Sequence, residues 1–263
     1  MQKNEYLELE SWFEAQGEQV VSNLLNKWRE KIENIQDVYY IFARSFFSEE
    51  KKSSEFIRNK KSMDILFKRI DKNYSEFVQE AKQELDEKQL KAIMLNFEKI
   101  NLFERMRLES SPYIPKGIKK LIYSLLDIKN GDKVLQAYSR TGDFLVDFTI
   151  KYPDADITGI DIKTDNVFAS EIKASILEED ENRLRVCQAD YLNMDLSELD
   201  YNKFFSMPPV ASRSNLLKKN IESKDLVNLY EENGFRTFND WVSVLKATLN
   251  PKFEKSIFIL QPG

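Results

Sequence analysis

Between Lys133 and Leu260 short apolar runs alternate with helical stretches, and this alternation leaves few folds open to the chain. The strand-like runs are Lys133–Ala137, Ile157–Ile162, Leu184–Gln188, Lys203–Ser206 and Ser256–Leu260. Helical periods fill the intervals at Asp143–Lys151, Asp165–Leu177, Lys224–Asn233 and Phe238–Leu249, and Lys116–Leu126 precedes the first strand. Strands separated by helices of about ten residues or more imply a parallel sheet covered on both faces. Right-handed crossovers then predict an α/β fold, a Rossmann-like, doubly wound parallel sheet.

The first part of the chain has a different texture. From Asn4 to Ile100 apolar residues recur at helical spacing, as in Val20, Val21, Leu24, Leu25, Trp28 and Ile32. Asp37 is placed to cap a helix that buries Tyr40, Ile41, Phe46 and Phe47. The polar segment 48–54 reads as a loop. A long helix then carries Met63, Leu66, Ile70, Tyr74, Phe77 and Ala81, and another carries Leu90, Ile93, Met94, Phe97 and Ile100. The spacing assigns these aromatics to a core rather than to a base-stacking surface. Lys51, Lys52, Arg58, Lys60 and Lys61 read as a solvated face because acids interrupt them. The expected division is a helical domain over 1–109 and an α/β domain over 110–263.

Composition removes whole classes of chemistry. The 263 residues contain no His and one Cys, Cys187. This excludes Ser-His-Asp and Cys-His catalysis, and leaves no His or thiolate metal site. A single cysteine also fits a reducing, cytoplasmic setting. No apolar run is long enough to cross a bilayer, so neither a membrane nor a metal is expected as a partner. The net charge of −5 gives no overall electrostatic case for nucleic acid, so any DNA contact would need a local patch or a partner subunit.

Four places in the second half carry candidate chemistry. Strand Lys203–Ser206 runs into Met207-Pro208-Pro209-Val210, and proline forces the strand to stop where open α/β sheets place their ligands. The turn from Gln136 to Phe144 includes Thr141 and Gly142 and leads into a helix N-terminus. Asp161 ends a strand about twenty residues beyond that turn, where an acid accepts ribose hydroxyls or else caps the next helix. Asp190 follows the third strand and either accepts from an adenine amine or closes a turn with Asn193. Pro112-Tyr113-Ile114-Pro115 is an extended lead-in, and Pro115 suits the first helical turn.

Over Ser110 to Gly263 these motifs, in this order, resemble the S-adenosylmethionine-dependent adenine DNA methyltransferases, specifically the modification subunits of type I restriction-modification systems. The Phe-Tyr-Thr-Pro segment of that family is matched by Pro112-Tyr113-Ile114-Pro115, and its Gly-Asp-x-Val strand by Gly131-Asp132-Lys133-Val134. Its Asp-Pro-Ala-Cys-Gly-Thr-Gly-Gly-Phe loop appears as Gln136-Ala137-Tyr138-Ser139-Arg140-Thr141-Gly142-Asp143-Phe144. Its Asn-Pro-Pro-Phe corner becomes Met207-Pro208-Pro209-Val210. A downstream Asp-Trp and the Leu-Pro-Asn-Gly strand end are matched by Asp240-Trp241 and Leu260-Gln261-Pro262-Gly263. The resemblance implies that Tyr113, Pro115, Gln136, Thr141, Gly142, Phe144, Asp161 and Asp190 line an S-adenosylmethionine site. It implies DNA as a partner, reached through a specificity-type subunit. The family's sheet continues into a closing antiparallel hairpin that has no counterpart here, so a protein partner or self-association is expected at the exposed edge.

The departures from the family fall on its chemistry. The Asn whose side-chain oxygen holds the target amine is Met207, a weak acceptor, and losing such a bond costs roughly 10²–10³ in rate. The aromatic residue that stacks on the flipped base is Val210, a loss of about 1–3 kcal/mol. Gln136 is neutral where an acid pairs with the cofactor's ammonium group, and Arg140 replaces a glycine. The reading is a methyltransferase-like pseudoenzyme of restriction or defence type acting as a binding or scaffold subunit, with cofactor binding weakened or lost. The alternatives are an active adenine methyltransferase with atypical motifs, and a Rossmann-like nucleotide or metabolite binder.

Overall fold

The computed structural model describes residues 1–28, 30–32, 34–47, 60–100, 114–177, 183–196, 199–208, 244, 247–248 and 250–260. Among the described residues five helices come first: α1 (Lys3–Trp12), α2 (Glu18–Trp28), α3 (Ile35–Phe46), α4 (Lys60–Glu84) and α5 (Glu87–Asn96). A π-helical turn over Phe13–Gly17 joins the first two, and a 3-10 turn over Phe97–Lys99 follows the fifth. Helix α2 buries Val21, Leu24 and Trp28, three and four residues apart, as one stripe. The Trp28 ring stacks on Phe77 of α4 at 5.2 Å, and its Nε1 donates to Glu80 Oε2 at 2.7 Å. A capping box of Asp86 and Gln89 starts α5.

Asp37 does not cap α3. Asn34 does, its side chain accepting from the Gln36 N–H, which leaves Asp37 inside the first turn. Buried there, Asp37 accepts from Arg69 Nη2 at 2.7 Å and from the Tyr74 hydroxyl at 3.1 Å. Tyr74 is also where α4 bends, with φ −138° and ψ 27°. The expected loop at 48–54, the residues 51–59 of the basic cluster and the lead-in residue Tyr113 lie outside the described residues.

Helix α6 (Lys116–Leu126) precedes β1 (Lys133–Ala137), and α7 (Asp143–Lys151), β2 (Asp156–Asp161), α8 (Thr164–Leu177), β3 (Leu184–Gln188), β4 (Lys203–Ser206) and β5 (Lys255–Phe258) follow. The bounds of α6, α7, β1, β3 and β4 match those read from the sequence; β2 lies one residue earlier at both ends, α8 starts one residue earlier, and β5 starts one residue earlier and ends two earlier. Pro115 stands one position outside the first turn of α6, as its N-cap. The predicted helices over 224–233 and 238–249 fall outside the described residues, apart from helical residues 244 and 247–248.

All pairs in the sheet are parallel, in the order β3-β2-β1-β4-β5. The fold is therefore the doubly wound, Rossmann-like α/β arrangement. Alternation along each strand sends Val134, Ile157 and Phe205 to one face and Leu135, Ile160 and Phe204 to the other. On the first face Phe144, Leu145 and Phe148 of α7 join a core that runs on, without a break, into Trp28, Tyr39, Phe42 and Phe67 of the helical part. On the second face Tyr191, Leu196 and Ala247 cover Phe204. Helix α8 is thus sandwiched between sheet and N-terminal helices. Tyr39 donates to the Ala169 carbonyl at 3.2 Å and Tyr40 to the Asp165 carbonyl at 3.1 Å.

Candidate functional site

The strand order reverses direction between β1 and β4, since β2 lies on one side of β1 and β4 on the other. Loops leaving neighbouring strands toward opposite sides open a crevice at their carboxyl ends, the ligand site of such sheets. Here the loop 138–142 after β1 faces the end of β4 at Ser206 and Met207.

The backbone of that loop is unusual. Tyr138, Arg140 and Gly142 all have positive φ, at 56°, 54° and 82°. A side chain in that region costs roughly 1–2 kcal/mol, so two of the three positions carry strain that glycine would not. The loop is held by its neighbours: the Arg140 N–H donates to Asp161 Oδ2 at 2.9 Å, Ser170 Oγ donates to the Arg140 carbonyl at 3.0 Å, and Gly142 N–H reaches the Ser139 carbonyl at 3.1 Å.

Arg140 also sends its side chain across the crevice. Its Nη2 lies 3.5 Å from the Met207 carbonyl oxygen, so the guanidinium bridges the ends of β1 and β4. Burial pulls the Arg140 pKa down to about 10, against the opposing pull of the Asp161 carboxylate. Asp161 itself is buried and committed locally. Besides the Arg140 N–H, its Oδ1 accepts from the Lys163 N–H at 2.9 Å and from Asn166 Nδ2 at 3.0 Å, which ties the strand end to the start of α8. With three of about four acceptor positions filled, little remains for a ribose.

The other expected site residues divide. Thr141 donates its hydroxyl to Glu98 Oε1, away from the crevice, and the same Glu98 oxygen pairs with Lys173 Nζ of α8. Gly142 is needed because α8 comes close: a Cβ there would lie 2.7 Å from Ser170 Oγ and 3.2 Å from Ser170 Cα. Gly159 likewise makes room for Leu145 and Ser139, whose atoms would stand 2.6 Å and 2.8 Å from its Cβ. Phe144 packs on Phe205 at 4.5 Å in the core. Gln136 is buried, with no partner for its Oε1. Asp190 accepts from Asn193 Nδ2 at 2.8 Å, which closes the turn after β3. Met207 and Pro208 are buried, the Met207 side chain within the core on the α7 face. Pro115 is exposed at the start of α6. Tyr113, Pro209 and Val210 lie outside the described residues.

The structure thus brings together Arg140, Asp161 and the end of β4, while Thr141, Gly142 and Phe144 serve the packing of α7 and α8. Glu98, Lys173 and Ser170 were not among the residues read from the sequence. Lys119 is another, its buried Nζ lying 2.8 Å from Asp143 Oδ2 beside the N-terminus of α7. At residues 140 and 136, where the resemblance expects space for a sulfonium cofactor and an acceptor for its ammonium, the structure has a guanidinium and a neutral amide. Gly142→Ala is expected to destabilise the fold by about 2–4 kcal/mol, from the left-handed backbone and the clash with the α8 main chain. Urea unfolding measures it, and a loss below about 1 kcal/mol would show that α8 can yield.

Among the described residues no group of three or more His, Cys, Asp or Glu could hold a metal, and no helix is long and apolar enough to cross a membrane. No protein-family model matches the chain, and no curated protein matches it in sequence. Similar solved structures include the type I restriction-modification system methyltransferase subunit from Streptococcus thermophilus, at 12% identity and TM-score 0.43 over 79% of this chain and 67% of that one. They also include an S-adenosylmethionine-dependent methyltransferase from Thiobacillus denitrificans in complex with S-adenosyl-L-homocysteine, at 14% identity and TM-score 0.32 over 44% of this chain. A third is TrmN from Thermus thermophilus, at 15% identity and TM-score 0.32 over 38% of this chain. The chain spans 42% and 30% of the length of these last two. The assignment of the fold rests on the strand order of the sheet.

Proposed function

We propose that this chain is a methyltransferase-like subunit of restriction-modification or defence type that binds and scaffolds rather than methylates. In this reading S-adenosylmethionine is the cofactor the crevice descends from, and its binding is weak or lost. DNA is contacted through a specificity-type partner subunit, and β5, the edge strand among the described residues, is offered to a protein partner or to a second copy of the chain. The observation that carries the reading is Arg140: a strained, largely buried side chain that spans the crevice where a cofactor would lie. The motif order supports the adenine-type ancestry. Met207 supports the loss of the reaction, because its side chain belongs to the core and leaves no amide to hold a target amine.

The test is methyl transfer from labelled S-adenosylmethionine to adenine-containing DNA, paired with calorimetric titration of the cofactor. The expected result is no turnover and a dissociation constant in the millimolar range or weaker, a binding free energy of about −4 kcal/mol at most. Robust turnover, or micromolar binding abolished by Asp161→Ala, would return the chain to the active methyltransferases.

A further inference from the structure

Helix α6 covers the edge strand and reaches past it. The helix packs against β5, and Asp127 at its C-terminal end pairs with Lys255 at the start of that strand, at 3.3 Å. At about 100° per residue, three sectors follow one another around the helix. Lys119 and Tyr123 meet α7, through Asp143 at 2.8 Å and the Phe144 ring at 5.1 Å. Ile122 and Leu126 are buried in the core. Ile118, Leu121 and Leu125 come next, on the flank turned away from α7, and are 42%, 54% and 49% exposed. Because α7 packs against β2, toward the other end of the sheet, this flank overhangs the outer side of β5. Single exposed leucines are ordinary, but three along one helix face make a patch.

The strand below offers main-chain groups on the same side. Among the described residues β5 pairs with β4 alone. The Ile259 N–H donates to the Ser206 carbonyl at 3.0 Å, so alternation turns the main-chain groups of Ser256, Phe258 and Leu260 outward. No charge and no proline stands between Ser256 and Leu260, although these are the usual protections of an edge strand.

Helix and strand also share a midpoint. From the Asp127–Lys255 pair, going back along the helix is going forward along the strand. The stripe centres halfway between Ile118 and Leu125, about 8 Å from Asp127 at roughly 1.5 Å per residue. About 8 Å along β5 from Lys255, at roughly 3.3 Å per residue, lies the segment Ile257-Phe258. One two-fold axis therefore serves both features. It pairs β5 with itself in antiparallel fashion about Phe258, sets Leu121 against Leu121, and places Ile118 opposite Leu125. A self-complementary interface needs that coincidence, and a foreign strand does not.

Resting on the reading that the β5 edge is offered to another chain, we infer that its occupant is a second copy of this one. The two β5 strands continue one sheet across the axis, and the apolar flanks of the two α6 helices pack above it.

Sedimentation velocity on the full chain tests this, with hydrogen exchange over residues 255–260 as a second readout. The expected result is a dimer with a dissociation constant in the micromolar range or tighter. Leu121→Lys puts two ammonium groups at the axis and is expected to weaken the dimer about a hundredfold or more. Leu260→Pro removes an outward N–H and is expected to weaken it about tenfold. Both side chains are exposed, so circular dichroism should show the fold retained. Leu121→Cys is expected to give a disulfide-linked dimer on mild oxidation, and Lys120→Cys, on another side of the helix, is not. A dimer that withstands both Leu121→Lys and Leu260→Pro overturns the inference, because association then uses another surface. So does a chain that stays monomeric at the highest concentration reached. If that monomer exchanges the amides of Ser256, Phe258 and Leu260 freely, the second copy fails while the open edge stands for a different protein. If it protects them, the chain covers its own edge and both readings fail.

Discussion

Glu98→Ala is expected to destabilise the protein by about 3–5 kcal/mol, the cost of removing one partner from a buried ion pair. Lys173 lies on α8 with its side chain 1% exposed, and its Nζ pairs with Glu98 Oε1, itself in a side chain 8% exposed. Without Glu98 the ammonium keeps its place between the sheet and the N-terminal helices but loses its countercharge. The Thr141 hydroxyl loses its acceptor at the same moment. For a chain of this size the drop corresponds to roughly 6–20 °C in melting temperature.

The double variant Glu98→Leu with Lys173→Met separates pairing from packing. Replacing a buried pair by apolar residues of similar volume is often neutral or stabilising, so the double variant should recover most of the loss. The comparison matters because Glu98 Oε2 is buried without a partner, so the pair is not fully satisfied even in the wild type. Urea midpoints and melting curves for both variants measure the effect. A Glu98→Ala protein within about 1 kcal/mol of wild type would mean that Lys173 can reach water. The pair would then be no clamp on the loop after β1.

The position of this clamp explains what the sequence could and could not convey. The strands and the helices α6 to α8 were legible because each follows a local rule: alternation or an apolar run in β1, β3 and β4, helical period in α6 and α7, and turn residues between them. The Pro208-Pro209 corner was legible for the same reason. Asp37 was misread because Asn34, three residues earlier, is an equally good cap, and what decided between them was Arg69 and Tyr74 on a distant helix. The contact of Glu98 with Thr141 and Lys173 spans 43 and 75 residues, beyond the reach of any period. A signal was nonetheless present. From Val167 to Leu177 helix α8 is apolar or small apart from Glu171 and Lys173, and a lysine buried in such a stretch calls for a buried acid to pair with it.

Glycine shows why a motif alone is ambiguous. Gly142 sits where a cofactor-binding fold needs close approach, and the atoms that come near it belong to Ser170; Gly159, which the sequence reading did not single out, makes room in the same way for Ser139 and Leu145. A glycine pattern reports that something comes near, not what it is. The ligand-facing glycine of the resembling loop would be residue 140, and there the chain has placed arginine in the backbone conformation that a glycine would have left behind.

On the proposed reading, that glycine-compatible conformation makes the cofactor side of the crevice repairable. Arg140→Gly is expected to be neutral or stabilising, since relief of roughly 1 kcal/mol of backbone strain offsets the lost contact to Met207. It should also raise affinity for S-adenosylmethionine on the order of tenfold or more, by removing both bulk and like charge. Adding Gln136→Asp supplies an acceptor for the ammonium group at a position already buried with an unpartnered oxygen. A charge-assisted hydrogen bond of about 1.5–3 kcal/mol adds a further ten- to hundredfold. The acid carries a cost in the free protein, because a carboxylate buried without its ligand is poorly solvated. The double variant should therefore melt below Arg140→Gly alone and regain that difference when cofactor is added. Calorimetric titration of the two variants and the wild type reads the affinities, and equal weakness in all three would show that Arg140 is not what closes the site. Methyl transfer should stay at background even in the tight-binding variant, because Met207 still presents no amide to a target amine. Turnover appearing without a change at Met207 would show that the end of β4 is less essential to the reaction than the cofactor loop.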